Sequence, residues 1–202
     1  MTVIGGNYLF IHVPKAAGQS LSARLGGVSR ELPGHAPLWW IAPEIRKDRF
    51  SFGFVRNPWD RLVSLYAFQS TKRVKNGESV EYRAHIRSIG FDRWLLEDAM
   101  FMPQDEAWRT PDLAPMQRRS QMWWVDGCDF IGTVETLDED FDRIKPRLGL
   151  RRSWRELLNL QPKLRHRNRS VRANYRDYYD ARAAAFVAQH FAPEIEQFGY
   201  TF

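Results

Sequence analysis

One cysteine, no long apolar run and no acidic excess set the first limits on this sequence. Its 202 residues include a single cysteine, Cys128, which excludes an internal disulfide and a cysteine-rich metal site, so we interpret it as a small buried residue. No stretch approaches the roughly 20 apolar residues of a membrane-spanning helix. Residues 1–8 lack the basic region and apolar run of a secretory signal. We therefore expect a cytoplasmic protein without a membrane span.

The charge balance is positive. The sequence has 30 Lys and Arg against 24 Asp and Glu, a net charge of +6 and a pI near 9.7. Such a charge predicts an acidic partner, although a nucleotide, an acidic polysaccharide, a nucleic acid and an anionic lipid all satisfy it. The apolar fraction of 44% and the eight Trp residues are typical of a folded globular protein. At this length we expect one domain that spans residues 1–202.

Short apolar runs and helical patterns alternate along the chain. Three runs predict β-strands, at Tyr8–Val13, Phe50–Val55 and Asp129–Val134. Helices are predicted at Ser20–Leu25, Pro43–Asp48, from Asn57-Pro58 onward, Phe91–Ala99, Met116–Val125, Leu137–Leu148, Asp177–Phe191 and Pro193–Phe198. This alternation predicts an α/β domain with a central parallel sheet.

The first motif is a strand, a turn of small residues and a helix. The strand ends at Pro14-Lys15, and Gln19 stands where a nucleotide P-loop, G-x-x-x-x-G-K-[ST], carries its lysine. Small side chains let an anion approach the backbone N–H groups, and Gly18 can adopt a positive φ. The candidate anion-binding residues are Lys15, Ala16, Ala17, Gly18, Gln19 and Ser20. An ordinary strand-to-helix turn with an exposed lysine is the alternative.

The second motif repeats this order in the stretch FGFVRNPWDRLVSLY, residues 52–66. Arg56 follows the predicted strand, at the carboxyl edge where parallel sheets bind ligands. Ser64 lies about two helical turns further on, so a guanidinium and a hydroxyl can hold one phosphate group together. A structural ion pair between Arg56 and Asp60 is the alternative.

Taken together, P-K-x-x-G-x-S and F-V-R-N-P-W-D-R-L-V-S resemble the sulfotransferases that use 3′-phosphoadenosine-5′-phosphosulfate (PAPS). The resemblance is closest to the carbohydrate branch, with the heparan-sulfate 2-O- and chondroitin-type enzymes and their bacterial relatives. It continues through Asp129–Phe141, Leu164–Ser170 and Phe198–Tyr200. It implies a three-layer αβα fold around a central parallel sheet, similar to that of P-loop NTPases.

The resemblance also implies a role for each motif. Lys15 through Ser20 hold the 5′-phosphosulfate, while Arg56 and Ser64 hold the 3′-phosphate. Lys15 lies beside the bridging oxygen and stabilises the charge that grows there as the S–O bond breaks.

A basic loop at residues 163–172 extends the resemblance, because relatives close such a loop over the nucleotide. Arg165, Arg169 and Ser170 are its candidate contacts to the 3′-phosphate, and a solvated charged loop is the alternative. The first motif departs from many relatives at Ala16-Ala17 and Gln19, where they carry Thr-Gly and Thr. With these departures, the backbone amides provide a larger share of the contacts to the 5′-phosphate.

A hydroxyl acceptor must lose a proton, so a general base is expected. The Gly-His segment that contains His35 resembles the one that supplies the catalytic His of the 2-O-sulfating relatives, and histidine titrates near neutral pH. His12 is interpreted as a strand residue that meets a neighbour. Glu31, Asp48 and Glu106 are the fallback carboxylates.

The resemblance therefore implies in-line transfer of a sulfuryl group from PAPS to a hydroxyl group, without a metal ion. It favours a carbohydrate acceptor that can be acidic; a small-molecule or lipid alcohol and a catalytically inactive PAPS-binding relative are the alternatives. A nucleotide kinase would need a lysine at position 19 and a metal-holding carboxylate after a strand, and the sequence has neither. A nucleic-acid-binding module leaves the paired motifs unexplained, so neither is expected. The oligomeric state is not indicated.

Overall fold

A computed structural model describes residues 2–26, 32, 34–71, 79–96, 119–150 and 173–202 of the chain. The chain divides into two compact units. The first consists of Met1–Arg56 and Gln121–Arg169, and the second of Asn57–Ser120 and Ser170–Phe202. A single domain over residues 1–202 stays a prediction.

The first unit contains a four-stranded sheet whose strands lie in chain order: β1 (Val3–Ile4), β2 (Tyr8–Ile11), β3 (Phe50–Val55) and β4 (Phe130–Thr133). Strands β2, β3 and β4 run parallel, and Phe10, Phe52 and Phe130 lie in register across them. The predicted α/β class and the three predicted strands are confirmed. The three-layer arrangement and the likeness to P-loop NTPases stay predictions.

One edge of the sheet differs from the expectation. Strand β1 pairs with β2 in the antiparallel direction, so the predicted central parallel sheet has one additional antiparallel strand at this edge. The chain reverses through Gly5-Gly6, and the N–H of Gly5 donates to the carbonyl of Tyr8 at 2.9 Å. A two-residue strand is too short to show an alternating pattern, which is why the sequence did not indicate it.

In the described part of the chain the α-helices are α1 (Gly18–Arg24), α2 (Pro43–Arg46), α3 (Pro58–Thr71), α4 (Ser79–Leu96), α5 (Met122–Val125), α6 (Leu137–Ile144), α7 (Ala181–His190) and α8 (Ala192–Phe198). Short 3₁₀ helices lie at Leu38–Trp40 and Tyr175–Tyr178. Within the described ranges, none of the helices combines the length and the apolar character needed to span a membrane.

Several helix predictions are wrong at their boundaries. Helix α4 begins at Ser79 and is kinked at Gly90, which has a φ of 76°; the predicted start at Phe91 is the residue after this kink. The helix predicted over 116–125 is present only at Met122–Val125 among the described residues. Helix α7 begins later than predicted because the Asp180 side chain accepts from the N–H of Ala183 and caps the helix there.

Apolar contacts cover both faces of the sheet in the first unit. On one face, Phe10, Phe52 and Phe141 belong to a buried cluster that joins the strands to α1 and α6. Side chains alternate between the faces of a strand, so Gly53 faces the other side. A Cβ on Gly53 would lie 2.4 Å from Cγ1 of Val125. Helix α5 therefore packs closely on β3, the strand that leads into Arg56.

The second unit is helical in its described residues. Helix α4 contacts α3 through Trp94, whose Nε1–H donates to Oε1 of Gln69 at 3.0 Å. Helix α7 is joined to α3 by Trp59, whose Nε1–H donates to the carbonyl of Ala184 at 3.1 Å. Ser64 lies on α3 and is half-buried.

Candidate functional site

The turn between β2 and α1 holds two residues with strained backbones. Lys15 and Ala17 have positive φ values of 68° and 57°, a conformation that costs a residue with a side chain roughly 1–2 kcal/mol. The carbonyl of Ala17 accepts from the N–H of Ser20 at 3.0 Å and starts α1. The expected positive φ of Gly18 is wrong, because Lys15 and Ala17 make the turn. Strain of this kind concentrates at binding and catalytic sites.

The need for glycine at position 18 is steric. A Cβ at this position would lie 1.7 Å from Cδ2 and 1.9 Å from Nε2 of His12. The His12 residue is only 6% exposed, so its imidazole is buried and packs directly on the backbone of the turn. The interpretation of His12 as a strand residue that meets a neighbour fits this packing, and that neighbour is the candidate anion-binding turn.

We expect Gly18→Ala to lower the free energy of unfolding by about 1–3 kcal/mol, because the added methyl group overlaps the buried imidazole of His12. Chemical denaturation of the purified variant measures this. Gly6→Ala is the control, since nothing lies within 4 Å of a Cβ there, and it should change stability by about 0.5 kcal/mol or less.

The steric origin of this cost is tested with the double variant His12→Ala/Gly18→Ala. Removing the imidazole makes room for the methyl group, so the double variant should be more stable than the sum of the single effects predicts. Strict additivity would contradict the contact.

His35, the candidate base, lies beside the same imidazole. The ring centroids of His12 and His35 are 4.3 Å apart, and Nδ1 of His35 donates to the backbone carbonyl of His12 at 2.9 Å. His12 therefore contacts both His35 and Gly18, so only the His12 side chain lies between the candidate base and the turn. The role of His35 as a base stays a prediction.

Arg56 reaches the first motif from the end of β3. Its Nη1–H donates to the backbone carbonyl of Lys15 at 3.3 Å. Its own backbone is held by Gln121, whose Oε1 accepts from the Arg56 N–H at 2.9 Å and whose Nε2 donates to the Arg56 carbonyl at 2.7 Å. Gln121 is fully buried. A single sequence carries no signal for this residue, because the contact joins positions far apart in the chain.

The remaining predicted site residues fall into two groups. Around the turn, Ala16 is buried, Ser20 half-buried and Gln19 exposed. Ser64 lies on α3 of the second unit, and its contact with the 3′-phosphate stays a prediction. Arg165, Arg169 and Ser170, together with the fallback carboxylates Glu31 and Glu106, lie outside the described residues, whereas Asp48 is exposed.

The described residues contain neither a cluster of metal ligands nor a thiol with a lowered pKa. No group of three or more His, Cys, Asp or Glu side chains that could hold a metal ion occurs in the part of the chain that the structure describes. Cys128 is half-buried and not fully buried as expected. Burial of its thiol, together with the nearby Asp129 carboxylate, still raises the pKa of Cys128 to about 12. Its thiol therefore stays protonated near neutral pH, which makes it a poor nucleophile. The expected absence of a metal ion stays a prediction.

Comparison with known proteins identifies the family. Residues 34–201 match the family model described as Sulfotransferase family. The chain belongs to the sulfotransferase family. An uncharacterized protein from Archaeoglobus fulgidus is 29% identical to it over 118 residues, which cover 56% of this chain and 82% of that relative.

Membership of the sulfotransferase family indicates that the reaction class is sulfuryl transfer, for which the family generally uses PAPS as the donor. The matched region contains His35, Arg56 and Ser64. It begins after the first turn, so the roles predicted for Lys15 and its neighbours rest on the motif and on the geometry described above.

Proposed function

We propose that this sulfotransferase moves the sulfuryl group of PAPS to a hydroxyl group of a carbohydrate. The observation that carries the proposal is the meeting of the two motifs, in which Nη1 of Arg56 lies 3.3 Å from the carbonyl oxygen of Lys15. Lys15, which follows β2, and Arg56, which follows β3, therefore lie close together. Two neighbouring cationic side chains are needed to hold both anionic ends of one nucleotide. The family match supports sulfuryl transfer as the reaction.

In the proposed reaction the acceptor oxygen attacks sulfur as the bond from sulfur to the bridging oxygen breaks. Adenosine 3′,5′-bisphosphate leaves, and the acceptor proton passes to His35. The ammonium group of Lys15 stabilises the negative charge that develops on the bridging oxygen. Positioning of donor and acceptor contributes most of the remaining rate enhancement, as in phosphoryl transfer.

The donor is held by both motifs in this proposal. The backbone amides of residues 16–20 and the hydroxyl of Ser20 bind the 5′-phosphosulfate. Arg56 binds the 3′-phosphate, with Ser64 and the basic loop that contains Arg165, Arg169 and Ser170 as further contacts. The hydrogen bonds from Gln121 support this role, because they fix the backbone from which Arg56 extends.

Two exposed tryptophans support a carbohydrate acceptor. Trp39 and Trp40 are 56% and 41% exposed, and they follow His35 closely in the chain. The Nε1–H of Trp39 donates to the carbonyl of Trp123 at 3.1 Å, which holds its ring in one orientation. A rigid, amphipathic aromatic face suits the apolar side of a sugar ring.

Calorimetry with adenosine 3′,5′-bisphosphate tests donor binding. We expect binding to the wild type and a Kd raised about 10- to 100-fold in Arg56→Ala, because a charge-assisted hydrogen bond is lost. Arg143→Ala, at an exposed arginine of α6, should bind like the wild type. Adenosine 5′-monophosphate, which lacks the 3′-phosphate, should not distinguish Arg56→Ala from the wild type. A protein that does not bind the bisphosphate would contradict the proposal.

Transfer of ³⁵S from labelled PAPS to a panel of acceptors tests the reaction. We expect label on a heparan-type, chondroitin-type or neutral oligosaccharide. Label only on small or fatty alcohols would show that the acceptor is such an alcohol and not a carbohydrate. Bisphosphate binding without any transfer would indicate an inactive PAPS-binding relative.

A cytoplasmic location remains part of the proposal.

A further inference from the structure

The backbone around His35 is anchored at three consecutive carbonyls. The N–H of Thr2 donates to the carbonyl of Gly34 at 2.9 Å, and its Oγ1 to that of Ala36 at 3.4 Å. Between them, the carbonyl of His35 accepts from Nε1–H of Trp124 at 3.1 Å. Thr2 and Trp124 are 1% and 0% exposed. Donors so completely buried hold an irregular segment in one conformation that it would not keep by itself.

The side chain of His35 is fixed as well. Its Nδ1 lies 2.9 Å from the carbonyl oxygen of His12. A carbonyl oxygen can only accept a hydrogen bond, so Nδ1 must carry the proton. In the neutral ring the lone pair is then on Nε2, and Nε2 is the atom that can take a proton from an acceptor.

Trp124 connects this arrangement to the donor side of the site. It lies on α5, the helix that begins directly after Gln121. The Gln121 side chain holds both the N–H and the carbonyl of Arg56. Helix α5 is itself seated on β3, where Val125 fills the space above Gly53. We define residues 121–125 as the brace. One end of the brace fixes the backbone of Arg56 and the other fixes the backbone of His35.

We propose that the brace, through Trp124, positions His35 in the Nδ1–H tautomer, so that Nε2 is the proton-accepting atom. Trp124 is a positioning residue in this proposal, since it acts on the reaction only through His35. The kinetic part rests on the proposed function, whereas the tautomer and the anchoring of the His35 segment do not depend on it.

The tautomer is measured directly by NMR on the full chain labelled with ¹⁵N-histidine. The sequence has five His residues, and the signals absent from His35→Asn assign His35. We expect the proton on Nδ1 in the wild type. In Trp124→Phe, which removes the indole N–H, we expect this proton to exchange with water about ten-fold faster, because the loss of one hydrogen bond loosens the segment.

Trp94→Phe is the matched control. Trp94 is as buried as Trp124, and its indole donates to an amide oxygen at 3.0 Å in the second unit. The two variants lose the same group and the same type of hydrogen bond, so Trp94→Phe reports the general effect of the change on stability. It should leave the Nδ1 proton of His35 exchanging as in the wild type.

The kinetic readout uses the acceptor labelled in the panel above. Trp124→Phe should lower kcat about ten-fold and leave the KM for PAPS within about two-fold. In the His35→Asn background it should cause no further loss, since a residue that acts through His35 has nothing left to position.

Three results would overturn the proposal: a proton on Nε2 in the wild type, unchanged exchange in Trp124→Phe, or a full additional loss of kcat in the double variant. If Trp124→Phe fails to fold, the wild-type spectrum still tests the proposal, because a proton on Nε2 would overturn it. A wild type that neither binds the bisphosphate nor transfers label, yet has the expected tautomer and exchange, would contradict the proposed function and support the anchoring of His35.

Discussion

We expect Lys15→Ala to lower kcat for sulfuryl transfer about 10²- to 10³-fold, the cost of removing one preorganised group that stabilises a developing negative charge. Arg56 donates to the backbone carbonyl of Lys15, an acceptor that is still present in the alanine variant. Alanine can also keep the left-handed φ at the same cost as lysine. Steady-state transfer of ³⁵S from PAPS, with kcat and KM measured separately, checks the prediction.

Lys47→Ala is the matched control, because Lys47 is an exposed lysine in the first unit at the end of α2. It removes the same charge without a role in the proposed site, so kcat should stay within about two-fold of the wild type, as expected for a screened surface charge. The proposed role would be refuted by a Lys15→Ala variant that keeps kcat and only weakens donor binding. In that case Lys15 would bind the ground state and the transition state equally well.

The second large effect is expected for His35→Asn, which should lower kcat about 10²- to 10⁴-fold by removing the general base. The asparagine amide can still donate to the carbonyl of His12, so the segment should keep its conformation. A general base works only in its unprotonated form, so activity of the wild type should fall at acidic pH, and this fall should be absent from the residual activity of His35→Asn. The pH profile of kcat/KM for both proteins is the measurement.

His85→Asn controls for the loss of a histidine, because His85 is exposed on α4 of the second unit. It should have the kinetics and pH profile of the wild type, and both variants should bind adenosine 3′,5′-bisphosphate normally. Should His35→Asn retain most of its activity, or keep the acidic fall, another group would have to be the base. Asp48 would then be the first fallback carboxylate to replace.

The central strands could be predicted from the sequence because each is a short apolar run that ends where a polar motif begins. The same rule placed Lys15 and Arg56 after two strands, at the edge where parallel strands bind ligands. What the sequence did not contain was the pairing of β2 directly with β3. That pairing brings the ends of the two motifs into hydrogen-bond contact, and it depends on packing across the whole sheet.

Gly18 illustrates a different limit. The motif predicted a small residue here, because an anion must approach the backbone and because glycine can adopt a positive φ. The positive φ values belong to Lys15 and Ala17 instead. The need for glycine comes from the imidazole of His12, which occupies the space of a side chain. A local motif can indicate that a position must be small, but only the packing around it tells whether the backbone or a neighbour imposes that condition.

By itself, the sequence determined the α/β class, the three parallel strands and the residue types that carry the proposed chemistry, since these depend on local pattern and on motifs within a few residues. Tertiary structure alone decided that His12 lies between His35 and the turn, that Gln121 holds Arg56, and that Trp124 holds His35. The physical reason is that such contacts join groups far apart in the chain. Their geometry is fixed only when the sheet and the helices have packed, and no local preference encodes it.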